Sequence, residues 1–220
     1  MRKLKLIVVG SLFLLILFTG TLTLANTDNP ISDFFEQKNE KLKTMEENEI
    51  LVEGENFTIT TKEYMELKEN MSLVHELNGG SNSDSSVNKP QDLLNRLIER
   101  KLILQFAAEE NLKVTDDEVM EYALQTKEAM KQNSTPELEA IQVELAKSLD
   151  IAPEEYFTHP EILEQYRDFL LINKVFDSLY EQNIINHNEY TFEDFKADLR
   201  ESNKATIHFN KEKLEELNGN

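Results

Sequence analysis

Residues Leu93–Val119 read LLNRLIERKLILQFAAEENLKVTDDEV. Leu93, Leu94, Leu97, Ile98, Ile103, Leu104, Phe106, Ala107 and Ala108 recur at helical spacing. The apolar face they form is wide, which puts this helix at the centre of a core. Asn111 follows, and asparagine tolerates the left-handed conformation that ends many helices. Leu112 and Val114 bracket the turn. Thr115 with Glu118 three residues later forms a capping box, and Asp116 and Asp117 suit the positive end of the next helix. A helix, a left-handed turn and a capped second helix are thus written into this one stretch.

The same punctuation continues on the C-terminal side. The second helix carries Val119, Tyr122, Ala123 and Met130 and ends near Gln132. Asn133-Ser134-Thr135-Pro136 starts another, with Leu138, Ile141, Leu145 and Leu149 on one face. Pro153–Tyr156 is a short helical step. Pro160 opens the longest helix, which runs to about Asn183 and presents Ile162, Tyr166, Phe169, Phe176 and Leu179. Phe192–Arg200 is a short amphipathic helix.

On the N-terminal side, Pro90 suits a helix first turn. Ser81–Lys89 is a polar stretch without core-forming content, so 78–90 reads as a flexible surface loop. Asn78-Gly79-Gly80 ends an earlier helix. Thr60 and Glu63 start that helix with another capping box, and Tyr64, Leu67, Met71, Val74 and Leu77 follow. Ile50–Val52 and Phe57–Ile59 flank Gly54 as two short strands. Ala205–Phe209 alternates as a strand does. A lone strand needs a partner, so the segment at 50–59 is predicted to pair with the one at 205–209. The expected fold is mainly α, with this small β element joining the two ends of a domain over 49–210. Residues 26–48 read as a tether that becomes a leading helix, and 211–220 as an acidic tail.

Charge divides the chain. It has 220 residues, 23 Lys+Arg against 42 Asp+Glu, and a formal net charge of −19. Arg2, Lys3 and Lys5 are the charges before Asn26, so the leading segment is basic and the body strongly acidic. Such a body repels phosphate backbones and disfavours nucleic acid as a partner. Leu6–Phe18 is almost wholly apolar, and the charge-free run to Ala25 matches the ~20 residues of a membrane-spanning helix. Its basic flank sends the body to the extracytoplasmic side. Residues 1–25 read either as a signal peptide cleaved near Ala25 or as a retained signal anchor.

Signals for chemistry are sparse. With zero Cys there is no disulfide, thiol nucleophile or lipidated anchor. His75, His159, His187 and His208 show no metal-ligand spacing, and His159 reads as a helix-start residue. Acid pairs such as Asp116/Asp117 and Glu154/Glu155 read as helix-dipole partners. No serine sits in a nucleophile elbow, and no EF-hand or phosphate-binding loop is visible. The expectation is a non-enzyme without catalytic, cofactor-binding or metal-binding residues.

This order of signals resembles the SurA/PrsA-type family of bacterial extracytoplasmic chaperones and foldases, over roughly Glu49–Phe209. Ile50–Glu63 looks like the opening of the SurA N-terminal domain. Leu93–Val119 resembles the family's Leu-x-x-Leu-Ile-x-x-Lys-Leu-Leu, Ala-rich turn and Val-Thr/Ser-Asp-x-Glu-Val. Leu149–Tyr156 and Pro160–Phe176, with Tyr166-Arg167, fit its next segments. Three departures stand out. Asn111 occupies the usual glycine position, the lipidated Cys of PrsA foldases is missing, and Glu181–Lys204 is far too short for a parvulin isomerase domain.

The resemblance implies a non-catalytic chaperone-like protein that binds unfolded or newly exported polypeptides. The alternatives are a membrane-tethered module for one envelope partner and a prolyl isomerase, whose activity is expected to be absent. Methionine suits adaptable apolar surfaces. Tyr64, Met65, Met71, Met120, Tyr122, Met130 and Phe169 are the candidates for an exposed client-binding surface.

Overall fold

The turn at Asn111 is the hinge of the architecture. In the computed structural model its φ is 55°, and the Leu112 N–H donates to Ala107 O at 2.9 Å. That bond caps the preceding helix as a left-handed turn should. The structure describes residues 30–43, 45, 49–77, 89–186 and 188–219. The signal or anchor segment 1–25, Ser81–Asn88 of the loop and His187 lie outside the described residues. No described helix is long and apolar enough to cross a membrane.

In chain order the elements are α1 (Pro30–Lys43), β1 (Ile50–Glu53), β2 (Thr58–Thr60), α2 (Thr61–Leu77), α3 (Pro90–Glu109), α4 (Asp116–Gln132) and α5 (Pro136–Ser148). A 3-10 turn (Pro153–Thr158), α6 (Pro160–Glu181), α7 (Phe192–Ser202), a second 3-10 turn (Lys204–Thr206), β3 (His208–Phe209) and α8 (Lys211–Gly219) complete them. Both expected capping boxes form. The Thr60 N–H donates to Glu63 Oε2 at 2.8 Å while the Glu63 N–H donates to Thr60 Oγ1 at 3.1 Å. The Thr115–Glu118 pair repeats this at 2.7 and 3.2 Å. Long-range bonds then staple α6 across the 113–118 turn. Arg167 donates to Val114 O and to Asp116 (3.1 and 2.7 Å), and Lys174 to Lys113 O and Glu118 (2.6 and 2.7 Å).

The chain's distant strands do pair. The sheet is antiparallel in the order β2-β1-β3, with Val52 opposite both Ile59 and Phe209. At Gly54 a Cβ would sit 2.3 Å from the Phe57 ring, so glycine lets that ring fold over the β1–β2 turn. Two expectations need correction. Ala205 and Thr206 are not strand: the Thr206 N–H and Oγ1 both donate to Asn203 O (3.0 and 2.9 Å), which winds them into the 3-10 turn. Residues 211–219 are a helix rather than a simple tail. Asn210 Oδ1 accepts the Lys213 N–H (3.1 Å) at its start, and Leu214 and Leu217 pack on the core.

Apolar packing divides into three clusters. The first joins Ile31 and Phe35 of α1 with Leu73, Val119, Ile141, Tyr156 and Tyr166. The second joins Leu51, Ile59 and Tyr64 with Leu93, Leu97, Ile98 and Ile207. The third joins Ile103 and Ala107 with Ile172, Val175, Leu179 and Phe192. Each fully buried Leu, Ile or Phe contributes about 1.5–3 kcal/mol.

Candidate functional site

The clusters decide where the molecule is open. The second halves of α3 and α6 share the third cluster, so these helices are packed there. Their first halves separate. That of α3 (Leu93, Leu97, Ile98) belongs with the sheet, and that of α6 (Ile162, Tyr166) belongs with α4, α5 and α1. Between them opens a cleft of about 930 Å³, with α2 forming another wall and α7 standing against the far end of α3. It follows α3 from Asp92 to Leu104, about 18 Å at 1.5 Å per residue. An extended peptide of roughly five or six residues spans that distance at ~3.3 Å each.

Apolar groups from five helices enter the lining: Leu67 and Met71 of α2, Leu104 of α3, Leu145 of α5, Ile172 of α6 and Phe192 of α7. Leu67 and Leu104 are only half-buried, so they offer contact area to an occupant. Charged groups surround them. Arg100 of α3 meets Asp168 of α6 at 2.8 Å, and Lys101 meets Glu63 of α2 at 2.8 Å. Glu99 of α3 accepts from Arg200 of α7 and has Lys196 at 3.9 Å. Burial raises the Glu99 pKa above the usual carboxylate value, and Lys196, Arg200 and Arg96 pull back against it.

Lys38 reaches this cleft from α1 and is 9% exposed. Its ammonium donates to Asn70 Oδ1 at 2.6 Å. Burial lowers its pKa, opposed by Glu66 and Glu69. Glu66 is shifted upward, first by burial, with Lys38 and Lys62 opposing and Glu63 and Glu161 adding repulsion. Glu69 is engaged elsewhere, at 3.1 Å from Lys41. Among the described residues, neither Glu66 nor Glu161 has an ion-pair partner within 4.0 Å.

The residues expected to form an exposed client surface do not form one. Tyr64, Met65, Met71, Met130 and Phe169 are buried, because each sits on the inward face of its helix or belongs to an apolar cluster. Met120 is 37% exposed. Tyr122 is half-buried, its ring centroid 5.3 Å from those of both Tyr166 and Phe169, and burial pushes its hydroxyl up to about 12. Of the seven, Met71 alone lines the cleft. Apart from Glu63, which the sequence marks as a helix cap, the cleft's polar groups are not singled out by the sequence. Their signal is weak: Glu63, Glu66 and Asn70, or Arg96 and Arg100, are ordinary same-face spacings on surface helices.

The described residues hold no group of three His, Asp or Glu able to take a metal ion. His159 stands at the N-cap of α6, where the sequence placed it. No family model, curated protein or solved structure matches the chain.

Proposed function

We propose that the chain is a non-catalytic polypeptide-holding protein whose cleft between α3 and α6 takes an extended, partly apolar segment of an unfolded or newly exported chain. The observation that carries this reading is the cleft itself. Its length suits a short extended peptide, it exposes Leu67 and Leu104, and charged groups encircle the apolar lining. Apolar contact supplies affinity, and the polar rim holds backbone and side chains without demanding one sequence.

The SurA/PrsA-type resemblance of Ile50–Glu63 and Leu93–Val119 belongs to the same proposal. So does an extracytoplasmic location given by the basic and apolar segment at 1–25. A chain with net charge −19 stays soluble through self-repulsion while presenting such a cleft. In the decisive experiment the full-length chain is mixed near stoichiometry with an unfolding test protein, and light scattering follows aggregation. Slower aggregation, lost when Leu67 and Leu104 are replaced by lysine, supports the reading. Unchanged aggregation at every salt concentration refutes it.

A further inference from the structure

We infer that the segment held in the cleft is cationic: an apolar stretch carrying a Lys or Arg whose charged end lies between Glu66 of α2 and Glu161 of α6. The inference rests on the peptide-holding reading and adds the chemistry of the occupant.

The ion pairs narrow the choice. Arg100 is bound by Asp168, Lys101 by Glu63, and Lys196 and Arg200 lie on Glu99, so these cations of the lining are already neutralised by the protein's own acids. Glu66 and Glu161 are different. They project into one cleft from two helices, repel one another, and have no ion pair among the described residues. Lys38 acts most strongly of the cations on Glu66, but it is bonded to Asn70 and shared with Glu69. Lys62 also pulls on Glu66, yet among the described residues no cation stands within ion-pair distance of either carboxylate.

A Lys or Arg from the occupant completes the balance. Its aliphatic stem can lie along Leu67 and Met71 while the charged head reaches the carboxylates. Glu161 enters the cleft from the first turn of α6. The field of the whole acidic chain acts in the same direction and speeds the approach of a basic segment. An acidic segment meets opposition from both the corner and the body.

The test uses fluorescein-labelled, end-blocked seven-residue peptides of Leu and Phe with a central Lys, Gln or Glu, titrated with the full-length chain and read by anisotropy. The expected order of affinity is Lys, then Gln, then Glu, with roughly tenfold between the first and last at low salt. High salt shrinks that gap. Glu161→Gln lies at an exposed position and leaves the fold intact. Together with Glu66→Gln it should bring the Lys and Gln peptides within about twofold of each other. Equal binding of the Lys and Glu peptides overturns the inference and leaves the peptide-holding reading standing. A Lys preference that survives in the double variant also overturns it, because the overall charge rather than this corner would then set the selectivity. Failure of all three peptides to bind removes both readings.

Discussion

Arg100 of α3 and Asp168 of α6 meet at 2.8 Å where the two helices begin to part. Below this pair the helices share one apolar cluster, and above it each belongs to another. The pair therefore sits at the vertex of the cleft. Both side chains are partly exposed, which limits the bond's worth to about 0–1 kcal/mol. Arg100→Met should therefore lower unfolding free energy in urea by no more than about 1 kcal/mol. Its effect on anisotropy-measured peptide affinity should be the larger one, since the vertex fixes how far the walls stand apart.

A surface methionine offers a direct contrast with the core. Phe169→Ala empties a site that is 2% exposed, and a cost of about 3–5 kcal/mol is expected in chemical denaturation. Met120→Ala, at a surface position, should stay within about 0.5 kcal/mol. Similar losses from both would mean that Met120 packs against something else in solution.

The stapled turn makes a pH prediction. The Lys174 ammonium and the Thr115 N–H hold Glu118 at a pKa of about 2, against an ordinary value of 4.5. A depressed carboxylate stabilises the fold above its unfolded pKa, and that contribution disappears as pH falls from about 4.5 toward 2. Glu118→Gln should therefore flatten this part of the stability–pH curve, measured by urea midpoints from neutral pH downward. An unchanged acid limb would show that the bond to Lys174 is not formed in solution. Thr115→Ala, which removes the cap's side-chain acceptor, should cost about 1 kcal/mol at neutral pH.

Closure of the sheet can be tested at Ile207, which is 8% exposed beside β3 and belongs to the second cluster. Ile207→Ala should destabilise the protein by about 2–4 kcal/mol. Hydrogen exchange should show faster amide exchange in β1 as well as near residue 207, since β1 supplies the partner strand. Faster exchange confined to the C-terminal side would separate the two.

Much of this architecture is local and was readable for that reason. Thr60–Glu63 and Thr115–Glu118 announce helix starts because the capping bonds are made within three residues. Asn111 announces a stop because few residues accept its backbone angle. Thr191–Asp194 forms the same kind of box, yet Asp at the third position is not the usual pattern. Helix α8 was hidden by its charges, although Leu214 and Leu217 lie three apart on one face. Pairing of β1 with β3 was inferable by elimination. The cleft was not, because it depends on the angle at which α3 and α6 part, and a buried methionine has the same helical spacing as an exposed one. Burial of Met65 and Met130 was decided by tertiary packing alone.

The β1–β3 pairing has a consequence for how the protein is made. A ribosome or an export channel delivers the N-terminal part first, so β1 and β2 can form their hairpin early. The other edge of β1 then waits, unpaired, until His208 and Phe209 arrive after every helix from α2 to α7. Contacts of such sequence separation slow folding, because long loops must close before they are rewarded. An incomplete chain, halted anywhere before residue 208, presents an open strand edge of the kind that invites pairing with another molecule. Arrival of residues 208 and 209 is thus what covers that edge of β1.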